Sequence, residues 1–207
     1  MTPTVMVKKQ FTSPLLTTAA YKTMVAQAAS WNAPLFVGEF GGLAAASGVA
    51  NYIDTIHKLS NDDILSWAQW SYTPGWTKDA KDGWNGEDLS IVDDQLNYRA
   101  NLFHPRPQPQ AINGEPQSLT VDVGNFSDTL ELHWINNPGG ALSSTQTVIY
   151  VPNYRVTITD SITPMADSGS PPVCRRDGTH RIVCESSAAD ARLGVRIRRY
   201  GSGGVVP

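Results

Sequence analysis

The sequence carries little net charge and has no basic segment interleaved with aromatic residues. Its 207 residues include 16 lysines and arginines against 19 acidic residues, a formal net charge of -3. Domains that bind nucleic acids usually present a basic patch or stripe, so we expect no nucleic-acid partner. One basic cluster near the C-terminus alternates as a strand does. Because arginine is seldom buried, we predict that this cluster is a solvated strand face, formed by Arg192, Arg196, Arg198 and Arg199.

Long apolar stretches are also missing. No run of about 18 apolar residues occurs, so the sequence predicts no transmembrane helix. The first residues lack the short apolar core of a signal peptide, so secretion is not predicted from this start.

Cysteine is scarce, with only Cys174 and Cys184. The Asp177-Gly178 pair between them is typical of a hairpin turn, which would bring the two cysteines face to face. A disulfide is then expected in an oxidising compartment, and free thiols are the alternative in a reducing one. A zinc site needs more ligands than this pair and His180 supply, so we predict no metal. No cofactor motif is present, and we expect no cofactor.

The first half of the chain alternates helical and strand patterns. A helix is predicted over residues 14–31, and its apolar stripe is Leu16, Ala20, Met24, Ala28 and Trp31. Residues 35–38 form a short apolar run, typical of a strand buried in a parallel sheet. A second helix is predicted with a cap near Ser47 and a stripe of Val49, Tyr52, Ile53 and Ile56. Another strand is predicted over residues 64–72.

The second half contains only short alternating strand patterns separated by turn residues. A stiff segment, residues 104–109, has a proline at every second position and marks the boundary. We therefore predict an α/β domain over residues 1–104 and an antiparallel β-sandwich over residues 105–207. A complete (β/α)8 barrel needs about 250 residues, so the first domain holds only part of one.

One carboxylate, that of Glu39, follows the buried strand directly. In α/β barrels the C-terminal ends of the strands carry the active site, which favours a catalytic role. The alternatives are that Glu39 pairs with an arginine or caps the following helix, since structural ion pairs also occur at such places.

Three motifs resemble known enzymes. Gly38-Glu39-Phe40-Gly41 resembles the nucleophile motif of the family 5 glycoside hydrolases, and the segment 66–72, SWAQWSY, is similar to their last barrel strand. The segment 106–116, RPQPQAINGEP, resembles the start of the C-terminal β-sandwich in endoglycoceramidases, although Gln108 replaces an expected tyrosine.

The resemblance implies a fold and a reaction. The fold would be the C-terminal part of a (β/α)8 TIM barrel followed by the β-sandwich. The reaction would be hydrolysis of a β-glycosidic bond with retention, in which Glu39 is the nucleophile and a second carboxylate, about 5 to 5.5 Å away, is the acid and then the base. That second glutamate belongs to an Asn-Glu-Pro motif in the family, and this sequence contains none.

Other carboxylates follow the last predicted barrel strand, namely Glu87, Asp88, Asp93 and Asp94. Their polar surroundings do not favour the raised pKa of a general acid. The simplest interpretation is a fragment that lacks the N-terminal half of the barrel, and this half is then an expected partner. The expected substrate is a glycolipid or oligosaccharide, with peripheral contact to membrane glycolipid. The full-length parent is expected to be secreted or at the cell surface.

Aromatic residues near the strand end are candidates for sugar contacts. Trp70 matches the family tryptophan that lines the sugar subsite, and Trp76 and Trp84 follow in the next loop. Tryptophan also serves as core material, so Trp76 and Trp84 have packing as an equal alternative. Trp67 has the opposite parity and is expected to pack against helices. His57 lies beside the apolar stripe and is expected to be solvated.

Two alternatives to a glycolipid hydrolase remain. The sandwich could be a non-catalytic module that binds carbohydrate or lipid, beside an inert barrel remnant. The chain could also be the C-terminal part of a family 5 endoglucanase, which would share Glu39 and Trp70.

Overall fold

A computed structural model describes residues 14–77, 79, 87–124, 127–137, 145–153 and 155–205. The chain divides into two compact units between His104 and Pro105, and we describe each by itself. Within the described ranges, no helix is both long and apolar enough to cross a membrane.

The first unit is built around a β-α-β arrangement. Its elements are α1 (Pro14–Ser30), β1 (Phe36–Phe40), α2 (Val49–Asp62) and β2 (Ser66–Gln69). Strands β1 and β2 are parallel, and α2 makes the crossover that parallel neighbours require. This is the only parallel pair among the described residues, which do not themselves form a closed barrel.

Helix α1 buries part of its predicted stripe, at Met24 and Ala28, but not all of it. Ala20 is exposed, and Trp31 is 60% exposed and lies beyond the helix end. The buried or partly buried positions still have helical spacing and are Tyr21, Met24, Val25 and Ala28. The prediction is wrong for Ala20 and Trp31 because a tertiary partner selects the buried face: the Tyr21 hydroxyl forms a buried hydrogen bond of 3.0 Å with Ser60 Oγ on α2. Burial raises the pKa of Tyr21, and the Ser60 hydrogen bond partly offsets this.

Helix α2 follows its predicted stripe. All four predicted positions, Val49, Tyr52, Ile53 and Ile56, are buried. The helix starts close to the predicted cap near Ser47, but the N-cap is Gly48, which has φ 80° and makes no side-chain cap. Glycine adopts this left-handed conformation without steric cost.

The second unit is an antiparallel β-sandwich, as predicted. Its strands are β3 (Gln108–Ala111), β4 (Gly114–Val123), β5 (Ser127–Asn136), β6 (Gln146–Tyr150), β7 (Arg155–Ala166), β8 (Val173–Asp177), β9 (Arg181–Glu185) and β10 (Arg192–Val205). They form two four-stranded sheets, of order β4-β5-β10-β7 and β3-β6-β9-β8. The shared core includes Leu130, Leu132 and Trp134 from the first sheet and Ile149 and Ile182 from the second.

The two cysteines form a disulfide in the structure. Cys174 on β8 lies opposite Cys184 on β9, with the Cα atoms 4.1 Å apart. Gly178, at φ 69°, lies in the turn between the two strands, where a left-handed conformation favours glycine.

The arginine cluster on β10 is not one solvated face. Arg192 and Arg198 are exposed and Arg196 is half-buried, but Arg199 is only 2% exposed. Arg199 differs in parity from the other three, so it points to the core side of the sheet together with Val195 and Ile197. The prediction is therefore wrong for Arg199, which is held there by an ion pair with Asp160.

Candidate active site

Glu39 presents an exposed carboxylate at the C-terminal end of β1. Phe40, its neighbour, is buried against α2, so strand alternation directs Glu39 to the opposite face. The alternative roles receive no support: no described arginine forms an ion pair with Glu39, and α2 begins without a side-chain cap. The carboxylate is therefore available to a ligand on that face.

Trp70 follows β2 immediately and is joined to the end of β1. Its backbone N–H donates a 2.8 Å hydrogen bond to the Phe40 carbonyl oxygen, and the Trp70-Ser71 peptide bond is cis. Trp67, three residues earlier on β2, contacts His57 on α2. Trp70 is 38% exposed. The structure thus brings Glu39, which has no ion pair among the described residues, and Trp70 to one end of two adjacent parallel strands.

Gly41 permits this close approach of the two strand ends. A Cβ atom at this position would overlap the carbonyl oxygen of Trp70, which is backbone and cannot turn aside. Any larger residue must therefore move the Trp70 backbone.

We expect Gly41→Ala to lower the free energy of unfolding by about 1 to 3 kcal/mol, the usual cost of overpacking. Chemical denaturation followed by circular dichroism measures this. Gly75→Ala is the matched control in the neighbouring loop, because nothing lies within 4 Å of its Cβ position. Equal stabilities of the two variants would contradict the proposed close approach.

The other aromatic residues near the strand end differ in how far they are exposed. Trp76 is half-buried, and its indole Nε1 is buried without a hydrogen-bond acceptor among the described residues. Trp84 lies outside the described residues. Tyr72, predicted only as the end of a strand, is 62% exposed in the loop after β2. Its position close after Trp70 in the sequence could have indicated a second exposed aromatic side chain at this strand end.

Two of the carboxylates after β2, those of Asp88 and Asp93, are engaged in structural contacts. Asp88 forms an ion pair with Arg99. The Asp93 carboxylate accepts hydrogen bonds from the backbone N–H groups of Gln95 and Asn97, at 2.9 and 2.8 Å. Desolvation acts to raise the pKa of Asp93, but the hydrogen bonds from Asn97 and Gln95 outweigh it and lower this pKa. A lowered pKa is the reverse of what a general acid needs.

His57 lies beneath the candidate site and not in solvent. It is fully buried, and its ring centroid lies 5.2 Å from that of Phe40 and 4.5 Å from that of Trp67. The predicted solvation is wrong because His57 is four residues after Ile53 and shares its helix face. The predicted packing of Trp67 against a helix is confirmed. No cluster of three or more His, Cys, Asp or Glu side chains that could hold a metal ion occurs among the described residues.

One family model matches most of the second unit. Residues 106–197 match the glycoside hydrolase family 5 C-terminal domain. The resemblance to the C-terminal portion of family 5 glycoside hydrolases is confirmed. A search of curated protein sequences finds no match.

Solved structures with the same fold include two glycoside hydrolases. Endo-glycoceramidase II from Rhodococcus sp. superposes with a TM-score of 0.61 at 16% identity, covering 91% of this chain and 38% of that protein. Sterylglucosidase 1 from Cryptococcus neoformans superposes with a TM-score of 0.62 at 18% identity, covering 94% of this chain and 32% of that protein. The chain therefore spans well under half the length of these relatives.

Proposed function

We propose that this chain is the C-terminal part of a retaining β-glycoside hydrolase in which Glu39 is the nucleophile and Trp70 supports the sugar ring. The observation that supports the proposal is that exposed Glu39 lies near the C-terminal end of β1, where the carbonyl oxygen of Phe40 accepts a hydrogen bond from the backbone N–H of Trp70 at the end of the adjacent parallel strand β2. Active sites of barrel enzymes are built at this end of the strands.

The chemistry assigned to Glu39 is nucleophilic displacement. One carboxylate oxygen bonds to the anomeric carbon while the bond from that carbon to the aglycone oxygen breaks, and the departing oxygen takes a proton from an acid. The same group, now a base, removes a proton from water, which releases the sugar from Glu39 with its configuration retained. Asp88 and Asp93 are engaged in structural contacts, so we propose that the acid and base is supplied by the N-terminal half of the barrel, upstream in the gene.

We propose a bond between a sugar and a lipid as the target. Support comes from the superposed structures, which include endo-glycoceramidase II in complex with ganglioside GM3 and a sterylglucosidase. Their greater length supports the further proposal that the rest of a barrel completes the site as a partner of the first unit. Peripheral contact with a membrane that displays the glycolipid belongs to the same proposal.

The disulfide between Cys174 and Cys184 supports a secreted or cell-surface location for the full-length protein, because such bonds persist in oxidising compartments. We propose no cofactor, since the two-carboxylate mechanism needs none.

The deciding experiment measures hydrolysis of a fluorogenic aryl β-glucoside and of a glycosylceramide. The 207-residue chain is compared with the same chain extended upstream in its gene. We expect hydrolysis only in the extended protein, with the β-anomer as the first product by NMR. An α-anomer as the first product would exclude a retaining nucleophile. Hydrolysis by the 207-residue chain alone would mean that the acid lies within it. No hydrolysis by either protein would favour a non-catalytic binding module.

A further inference from the structure

A segment after β2 connects the loop that follows Glu39 to the loop that carries Trp70. We name residues 87–102 the strap. In the loop that follows Glu39, which we call the first loop, the backbone N–H and the carbonyl oxygen of Ala44 both form hydrogen bonds with the strap. The Ala44 N–H donates to the Asp88 carbonyl oxygen at 2.8 Å, and the Asn101 side-chain Nδ2 donates to the Ala44 carbonyl oxygen at 2.7 Å. The loop after β1 is therefore held by both ends of the strap.

The strap holds the Trp70 loop in a similar way. Ser71 donates its N–H to the Leu89 carbonyl oxygen at 3.2 Å, and its carbonyl oxygen accepts from the Ile91 N–H at 2.8 Å. Ser90, only 1% exposed, accepts a 3.2 Å hydrogen bond at Oγ from the Thr73 N–H. These contacts fix the backbone on either side of Tyr72, directly after Trp70.

Arg99 forms hydrogen bonds with strap residues that contact the first loop and with strap residues that contact the Trp70 loop. Its backbone N–H donates to the Ile91 carbonyl oxygen at 2.9 Å. Its guanidinium Nη1 donates to the Asp88 carboxylate and, at 3.4 Å, to the Ser90 carbonyl oxygen. Asp88 also binds the first loop, and Ser90 and Ile91 bind the second. The Arg99 side chain is 19% exposed, so solvent screens these contacts only in part.

We propose that Arg99 is a positioning residue that fixes Glu39 relative to Trp70 through the strap. This inference rests on the proposed function for its catalytic consequence, although the mechanical link between the loops does not depend on it. Positioning matters because displacing a reacting group by about 1 Å costs about 100-fold in rate. No contact between Arg99 and the substrate is required.

Hydrogen exchange of the intact chain tests the mechanical link. We expect Arg99→Ala to speed amide exchange about tenfold at Ala44, Ser71 and Thr73, and to leave α2 unchanged, because local openings are set by the contacts they break. Arg99→Lys, which keeps a cation beside Asp88, is expected to restore part of the protection. Lys58→Ala is the control, since it removes only an exposed pair with Asp62 on α2. Unchanged exchange in both loops, or an equal increase throughout the unit, would overturn the proposal.

Kinetics of whichever form hydrolyses the glucoside test the catalytic consequence. We expect Arg99→Ala to lower kcat about 10- to 100-fold with little change in KM, because misplacement affects the reacting geometry more than ground-state binding. Loss confined to KM, or none, would overturn the positioning role. If no form hydrolyses the substrate, the proposed function fails while the exchange result still decides whether the strap couples the two loops.

Discussion

Replacing Glu39 by glutamine is expected to lower kcat for aryl β-glucosides at least about 1000-fold in the active form of the enzyme. Glutamine keeps the size of the side chain but is too weak a nucleophile to form the glycosyl intermediate. Removing a catalytic nucleophile is among the most severe single changes an enzyme can undergo. Steady-state kinetics measure the loss, and Glu115→Gln, an exposed glutamate on β4 of the second unit, is the control with no expected effect.

Rescue by an external nucleophile separates this role from acid catalysis. In Glu39→Ala, azide can occupy the space left by the carboxylate and attack the same face of the sugar. With an activated β-glucoside, we expect hydrolysis to be replaced by formation of the α-glycosyl azide, identified by NMR. A β-glycosyl azide would instead assign Glu39 the acid and base role, because the true nucleophile would then still form the intermediate.

Local periodicity was sufficient to predict the elements that present Glu39. The run of apolar residues before Gly38 predicted a strand, and the spacing of Val49, Tyr52 and Ile56 predicted the helix that covers it. The predicted burial of the strand on both faces is wrong, since Phe36 is 45% exposed and only Phe40 is buried. Both signals are local, because each depends on which side chains share a face of one element. The position of Glu39 at the strand end followed from the same pattern.

Contacts between distant segments could not be predicted in this way. The face of α1 depends on Ser60, which is 39 residues from Tyr21 along the chain, and Ala44 binds Asn101, 57 residues away. The sequence offered no signal for the strap beyond polar composition, which is equally typical of a solvated loop. Arg99 was therefore missed, although its neighbours Asp88 and Asp93 were recognised as carboxylates without a general acid's surroundings.

The arginine cluster shows a different limit. A cluster of charges usually indicates a solvated face, and for Arg192 and Arg198 it does. Alternation along a strand would have assigned Arg199 to the core side, but burial of an arginine requires a counter-ion that local sequence does not reveal. That counter-ion is Asp160 on the adjacent strand β7.

Asp160 is a buried counter-ion in the second unit whose loss is expected to be strongly destabilising. Its Oδ1 accepts a 2.7 Å hydrogen bond from Arg199 Nε, and its Oδ2 forms an ion pair with Arg176 on the other sheet. Asp160 and Arg199 are 5% and 2% exposed, so Asp160→Ala leaves a buried guanidinium without its counter-charge. We expect the free energy of unfolding to fall by about 3 to 5 kcal/mol, as measured by chemical denaturation.

The matched control is Asp177→Ala, which removes an ion pair with Arg181 whose side chains are 44% and 55% exposed. Such exposed pairs contribute at most about 1 kcal/mol, so a similar cost for both variants would show that Asp160 is not a buried counter-ion.

A double replacement, Asp160→Leu with Arg199→Met, tests how much of the stability lost in Asp160→Ala comes from leaving Arg199 buried without its counter-charge. A well-packed apolar pair often replaces a buried ion pair without loss of stability. We therefore expect the double variant to be more stable than Asp160→Ala alone. That result would assign most of the single variant's cost to the unpaired arginine.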